Sequence, residues 1–193
     1  MTTTELSPKR ARTRQRLVDR GLELIERDGY DETSVAQIAA AAGVSEMTFF
    51  RYFASKEALV LEDPYDPMIA SGIAREPRDL PPIQRAARGI RSAWQAVPEP
   101  DHPEIRRRVR IGSRTPALRG AMWRSTGNTE QAIVARLVAD GAPAFEARAA
   151  ASAVLAALVT GLYAWADGEI DTLGAALDRA LDVVTGEQTE ATP

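Results

Sequence analysis

Apolar residues in this chain recur at spacings of three and four, and the alternation typical of strands is nearly absent. Residues 13–28 carry Leu17, Val18, Gly21, Leu22, Leu24 and Ile25 on one side, and Gly29 ends that helix. Ser34 followed by Gln37 is a capping-box pattern, so a second helix starts at 34–35 and runs to Ala42. Gly43 is the turn, Ser45 caps a short third helix over 46–52, and Ser55 caps a fourth with Glu57 in its first turn. Asp63-Pro64 and Asp66-Pro67 should end or bend it, because proline disfavours a helical residue before it. Prolines then punctuate longer helices. Residues 82–97 place Ile83, Ala86, Ala87, Ile90, Trp94 and Val97 on one face, and 103–113 is short and basic. Residues 116–139 follow, with Ser125-Thr126-Gly127-Asn128 as a candidate break, then 144–166, and then 171–185 with Leu173, Leu177, Ala180, Leu181 and Val184. The pattern predicts an all-α protein of about nine helices, the first four short.

Composition narrows the chemistry. With 193 residues, 45% hydrophobic and 26% charged, the chain has the balance of a soluble globular protein able to bury a core. Net charge is −3, so any nucleic-acid binding must come from a local basic patch. The absence of cysteine excludes disulfides, thiol catalysis and cysteine-ligated zinc, and the single His102 cannot build a multi-histidine metal site. His102 lies between Pro100 and Pro103 without a neighbour to orient it as a general base. The expectation is a non-enzyme with no cofactor and no metal. The N-terminus lacks the apolar stretch of a secretory signal, which makes the cytoplasm the expected compartment. Residues 149–166 carry no charge and approach the ~20 residues of a membrane span. Alanine dominates them, Ser152 and Thr160 dilute them, and Arg148 and Asp167 bracket them, so a buried core or subunit contact is expected and no membrane.

The aromatic residues are unevenly placed. Phe49, Phe50, Tyr52 and Phe53 crowd around Arg51, although the chain has only four Phe and four Tyr. On a helix starting at Glu46, positions 49 and 53 share one face, while 47, 48, 50, 51 and 52 cover the others. Phe49 and Phe53 are expected in the core: Val44 and Phe49 in the angle between two helices, Phe53 against Leu22 and Ile25 of the chain's first helix, and Ala39 where two helices approach. Phe50, Arg51 and Tyr52 are left facing outwards beside Glu46, Met47 and Thr48. Such a face suits a DNA major groove, where arginine pairs with guanine and apolar side chains meet thymine methyls. Upstream, Lys9, Arg10, Arg12, Arg14, Arg16 and Arg20 are opposed only by Asp19, a basic patch placed for the DNA backbone or minor groove.

The stretch "TSVAQIAAAAGVSEMTFFRYFASKEALV" (33–60) resembles the DNA-binding signature of the tetracycline-repressor (TetR) family. Thr33, Ile38-Ala39, Gly43-Val44-Ser45, Thr48-Phe49, Tyr52-Phe53 and Ser55-Lys56-Glu57 carry the likeness, which spans roughly residues 13–60. It implies a homodimeric regulator, usually a repressor, that leaves double-stranded operator DNA when a small molecule binds its C-terminal domain. The implied organisation is a flexible basic arm over 1–12, a three-helix helix-turn-helix domain over 13–60, a helical ligand-binding and dimerisation bundle over 61–186, and a tail over 187–193. The implied DNA-facing set is Arg12, Arg14, Thr33, Ser34, Ser45, Glu46, Met47, Thr48, Phe50, Arg51, Tyr52 and Lys56. Within it, Thr33 and Lys56 would contact phosphate from helix starts, Thr48, Phe50 and Tyr52 would sit on the backbone, and Glu46, Met47 and Arg51 would face base edges. The family usually has tyrosine where Phe50 stands, so a phosphate contact is lost there.

In the remaining two-thirds, Ala149, Ala153, Ala157 and Gly161 form a row of small residues at a spacing of four. With Leu173 and Leu177, this row is assigned to a four-helix dimer interface; packing within one chain would use the same row. A dimer would set two recognition helices about 34–36 Å apart, one turn of DNA. Trp94, Met122, Trp123 and Tyr163 are candidate pocket residues, each also an ordinary core residue type. Arg106, Arg107, Arg108 and Arg110 form either a solvated face or the mouth of a pocket, with Arg106 and Arg110 as the anion-binding candidates. This half is similar to actinobacterial regulators of the mycofactocin-system branch, which implies a small hydrophobic or amphipathic effector of the fatty acyl-CoA kind. The alternative is a helical small-molecule carrier, for instance of acyl-CoA, without a DNA role.

Overall fold

The computed structural model describes residues 8–61, 71–96 and 103–187, without the side chains of residues 103 and 123–125. The described residues are helical with no strand. Their helices are α1 (Pro8–Asp28), α2 (Val35–Ala41), α3 (Glu46–Phe50), α4 (Lys56–Leu61), α5 (Pro82–Gln95), α6 (Pro103–Arg114), α7 (Pro116–Ala139), α8 (Ala144–Asp167) and α9 (Leu173–Thr185), with a further helical turn at 71–73. The expected ends of the fourth helix at Pro64 and Pro67, and the loop with His102, lie outside the described residues.

Two differences from the sequence reading concern helix ends. α1 begins at Pro8, so Lys9, Arg10 and Arg12 stand on its first turns and residues 8–12 are no flexible arm. Proline suits the first helical position because its missing N–H would be unpaired there anyway. α7 runs unbroken through 125–128. Ser, Thr, Gly and Asn each cost a helix only about 1 kcal/mol or less, which the flanking turns outweigh.

The chain divides into two compact units. The first comprises Met1–Glu62 with Arg107–Ala121, and the second Asp63–Arg106 with Met122–Pro193. The boundary expected at 60/61 therefore misses the segment 107–121. In the first unit α1 packs on α2 and α4, and α2 packs on α3. Its core joins Leu17, Val18, Leu22, Ile25, Ile38, Ala39, Phe49, Phe53 and Leu59 with Ile111 and Leu118. Arg107 donates twice to the Glu26 carboxylate, at 3.0 and 2.7 Å, tying the inserted segment to α1.

In the second unit α5, α8 and α9 pack on one another. α8 is long and apolar enough to cross a membrane by length and composition, and it packs on both α5 and α9. Ala147, Ala150, Ala151, Val154, Leu155, Leu158, Gly161, Trp165 and Ala166 are buried along it. Gly161 lets α9 come close: a Cβ there would lie 2.7 Å from the Ala176 carbonyl oxygen. An ionic cluster closes one end of α7. The Asp140 side chain is fully buried and accepts from Arg136 and Arg85, with Arg78 at 3.3 Å. These guanidinium donors, Arg136 first and then Arg85, hold its carboxyl well below the usual carboxylate range.

Candidate nucleic-acid interface

Two serines begin the helices of the candidate interface. Ser34 caps α2: its Oγ accepts from the Gln37 backbone N–H at 3.2 Å, while Gln37 Oε1 accepts from the Ser34 N–H at 2.7 Å, the reciprocal box read from the sequence. Ser45 caps α3 through the Thr48 N–H at 3.2 Å, and the two hydroxyls lie 3.0 Å apart. Between them Gly43 takes φ +67°, a left-handed turn that favours glycine, and Val44 N–H donates to Ala39 carbonyl at 2.9 Å. These bonds set the angle at which α3 leaves α2.

α3 carries the two faces expected of it. Phe49 and Phe53 are buried in the core, their ring centroids 5.6 Å apart. Glu46, Met47, Phe50 and Arg51 are exposed on the outside. Thr48 and Tyr52 are half-buried. Above them the basic residues of α1 are more than a loose charge patch. The Arg14 guanidinium stacks on Phe53 at 5.0 Å and that of Arg10 on Tyr52 at 5.9 Å. Arg10 and Arg14 are one helical turn apart, a pairing legible only once α1 is known to begin at Pro8. Arg12 is exposed and donates to the Pro8 carbonyl at 3.3 Å.

Two members of the expected DNA-facing set are committed to the fold instead. Thr33 is buried, and its hydroxyl donates to the Gly29 carbonyl at 2.7 Å, so it does not point at a phosphate. The Lys56 ammonium donates to the carbonyls of Tyr30 and Thr33, the latter at 2.7 Å, and sits 4.0 Å from the Tyr30 ring. As the first residue of α4, Lys56 places a cation at the positive end of a helix, and the two carbonyls offset that misplacement. Burial, then the nearby Glu57 and Asp31, pushes the Tyr30 phenol up to about 12, so the ring beneath Lys56 keeps its proton at neutral pH.

Residues 17–62 match the family model of bacterial regulatory proteins of the tetR family, and residues 80–188 match that of the MftR C-terminal domain. The HTH-type transcriptional regulator TcmR of Streptomyces glaucescens is 30% identical over 93% of this chain and 85% of its own length. This chain belongs to the TetR family of transcriptional regulators. MftR of Mycobacterium tuberculosis, a proposed mycofactocin biosynthesis transcriptional regulator, is 28% identical over 91% of each chain. The fold is also that of NalD, the secondary repressor of the MexAB-OprM multidrug efflux pump in Pseudomonas aeruginosa. Its structure matches with a TM-score of 0.54 at 21% identity, over 94% of this chain and 98% of that one. The helix-turn-helix of this TetR regulator is its DNA-binding element, as the sequence resemblance implied.

The expected effector residues of this regulator are only partly brought together. Tyr163 on α8 donates its hydroxyl to the Met122 sulfur on α7 at 3.1 Å, so these two meet in the second unit. Trp94 is half-buried on α5, which packs on α8, and the Trp123 side chain lies outside the description. The four arginines of the run have different surroundings. Arg106 belongs to the second unit, donates to the Trp165 carbonyl at 2.9 Å and stacks on that indole at 5.5 Å, closing the C-terminal end of α8. Arg107 is paired with Glu26, Arg108 is buried, and Arg110 belongs to the first unit. A helix turns successive side chains by about 100°, so Arg106, Arg107 and Arg108 point different ways, while Arg106 and Arg110 are one turn apart.

The expected dimer row divides as well. Gly161 is buried where α9 comes close to α8 of the same chain, and Leu173 and Leu177 are buried on α9, so all three are corrected to intrachain core. Ala149 is exposed, and Ala153 and Ala157 are half-buried. Val183 on α9, absent from the sequence reading, is 78% exposed.

Proposed function

We propose that this TetR regulator is a ligand-responsive repressor that binds double-stranded operator DNA as a homodimer and releases it when a small hydrophobic or amphipathic effector occupies the second unit. The observation that carries this reading is the two-faced α3. Its inner side is welded into the core by Phe49 and Phe53, while Glu46, Met47, Phe50 and Arg51 are presented outside. Ser34, Ser45 and Thr48 stand at the helix starts, and Arg12 and Arg14 on α1 add positive charge for the phosphates. The outer side of α8 and α9, with Ala149, Ala156, Thr160 and the exposed Val183, supports pairing with a second copy through those helices. The pair Tyr163 and Met122, with Trp94, marks where an effector would be sought, and fatty acyl-CoAs are the first class to screen. Such a regulator works in the cytoplasm and needs no catalytic residue.

The test is fluorescence anisotropy on the DNA upstream of the protein's own gene, and on sequences drawn from a random pool, across a salt series. Tight, selective and steeply salt-dependent binding is expected, with Arg51→Ala costing ~1–3 kcal/mol on the preferred site. Weak binding unaffected by Arg51→Ala would overturn the reading and leave the carrier alternative.

A further inference from the structure

Among the described residues of the first unit, the large apolar side chains that stand exposed are Met47, at 79%, and Phe50, at 54%. They are three positions apart on α3, hence neighbours on one helix face. The surrounding aromatics are already used: Phe49 and Phe53 are buried and Tyr52 lies under Arg10. Phe50 is not loose either. Its ring meets Phe49 edge to face, with centroids 5.5 Å apart and planes at 85°, so the core that fixes Phe49 also aims Phe50 outwards. Polar Glu46 and Arg51 bracket the pair.

A thioether and a phenyl ring form no strong hydrogen bond with phosphate or with a base edge. The apolar partner that the major groove offers is the C5-methyl group of thymine. We infer that Met47 and Phe50 form a thymine-methyl reader, giving each half-site a requirement for thymine at the base pairs beneath them. The inference rests on the operator-binding reading above and adds the chemistry of its specificity: part of the discrimination is apolar, carried by methyl burial, alongside the polar contacts of Arg51.

The test uses the full-length protein and the duplex it prefers from a random pool. Each half-site thymine is replaced in turn by deoxyuridine, which removes only the methyl group, with thymines outside the half-sites replaced as controls. At one or two positions per half-site the Kd should rise about 3- to 5-fold per methyl, the gain from burying one carbon. Met47→Ala or Phe50→Ala should bind the thymine and uracil duplexes alike at the matching position, and Met47→Leu should keep the preference. Met47 is largely exposed, so its variants should melt as the parent does, whereas Phe50→Ala gives up the edge-to-face contact with Phe49 and should melt a few degrees lower while staying folded. If binding stays selective and sensitive to Arg51→Ala but no uracil replacement weakens it, or no thymine is selected in the half-sites, the thymine reader is overturned while the repressor reading stands. If no sequence-selective binding occurs, both fall.

Discussion

Replacing Lys56 by methionine separates two roles for this residue: phosphate donor and internal clamp. In the structure its ammonium donates to the carbonyls of Tyr30 and Thr33, on the loop leading to the Ser34 cap of α2. Hydrogen bonds from a charged donor contribute about 1.5–3 kcal/mol each. Lys56 is only half-buried, so water can replace part of what is lost, and the low end of that range applies to both bonds. Contact with the Tyr30 face adds about 0.5–1 kcal/mol. Methionine keeps most of the aliphatic stem. The expected net loss is therefore ~3.5–4 kcal/mol, an apparent Tm drop of roughly 7–16 °C for a chain of this size. Urea unfolding followed by far-UV circular dichroism, at fixed protein concentration because dimerisation would shift the midpoint, gives the number. Hydrogen exchange should show faster opening of residues 30–37. A phosphate contact makes the opposite forecast, with stability of the free protein unchanged and the salt slope of DNA binding reduced by about one. A loss below ~0.5 kcal/mol together with that smaller slope would refute the clamp.

Three further outcomes follow from packing and charge. Gly161→Ala should destabilise by ~1–3 kcal/mol despite a better helix propensity, because the new methyl meets backbone of α9, whereas Gly127→Ala, with open space around it, should stabilise by ~0.5–1 kcal/mol; thermal melts of the pair decide it. Asp140→Asn leaves the buried Arg85 without its carboxylate and should lower the Tm by several degrees at pH 7. Because folding depresses the Asp140 pKa, its contribution is present above the unfolded carboxylate value and is lost as pH falls through the folded one. The gap between parent and variant should therefore be flat above about pH 5, begin to narrow only below about pH 4 and close well below that, as melts at pH 7, 5, 3 and 2 would show. Ser34→Ala removes the α2 cap and should cost ~1 kcal/mol in urea unfolding.

Local chemistry made the DNA-binding half legible before any coordinates. Ser34 with Gln37, Gly43, Ser45 and the 49/53 pair act within a few residues of themselves, through caps, a left-handed turn and helical periodicity, and each stands where its pattern placed it. The all-helical fold was legible for the same reason: a spacing of three and four is a property of the chain. The start of α1 was missed because a run of charges masks periodicity, and only Pro8 marks it.

What the sequence left open depended on residues distant along the chain. Thr33 and Lys56 read as phosphate donors until the carbonyls of Gly29, Tyr30 and Thr33 are seen to accept their hydrogen bonds. Segment 107–121 joins the first unit through Ile111, Leu118 and the bond from Arg107 to Glu26, partners that no local pattern names. The small-residue row on α8 could serve either a neighbour in the same chain or a second copy. Only the approach of Ala176 to Gly161 assigns that end to its own chain. Periodicity says which face of a helix seeks a partner. The partner is chosen by chain path and packing, which the sequence encodes jointly and not at any one position.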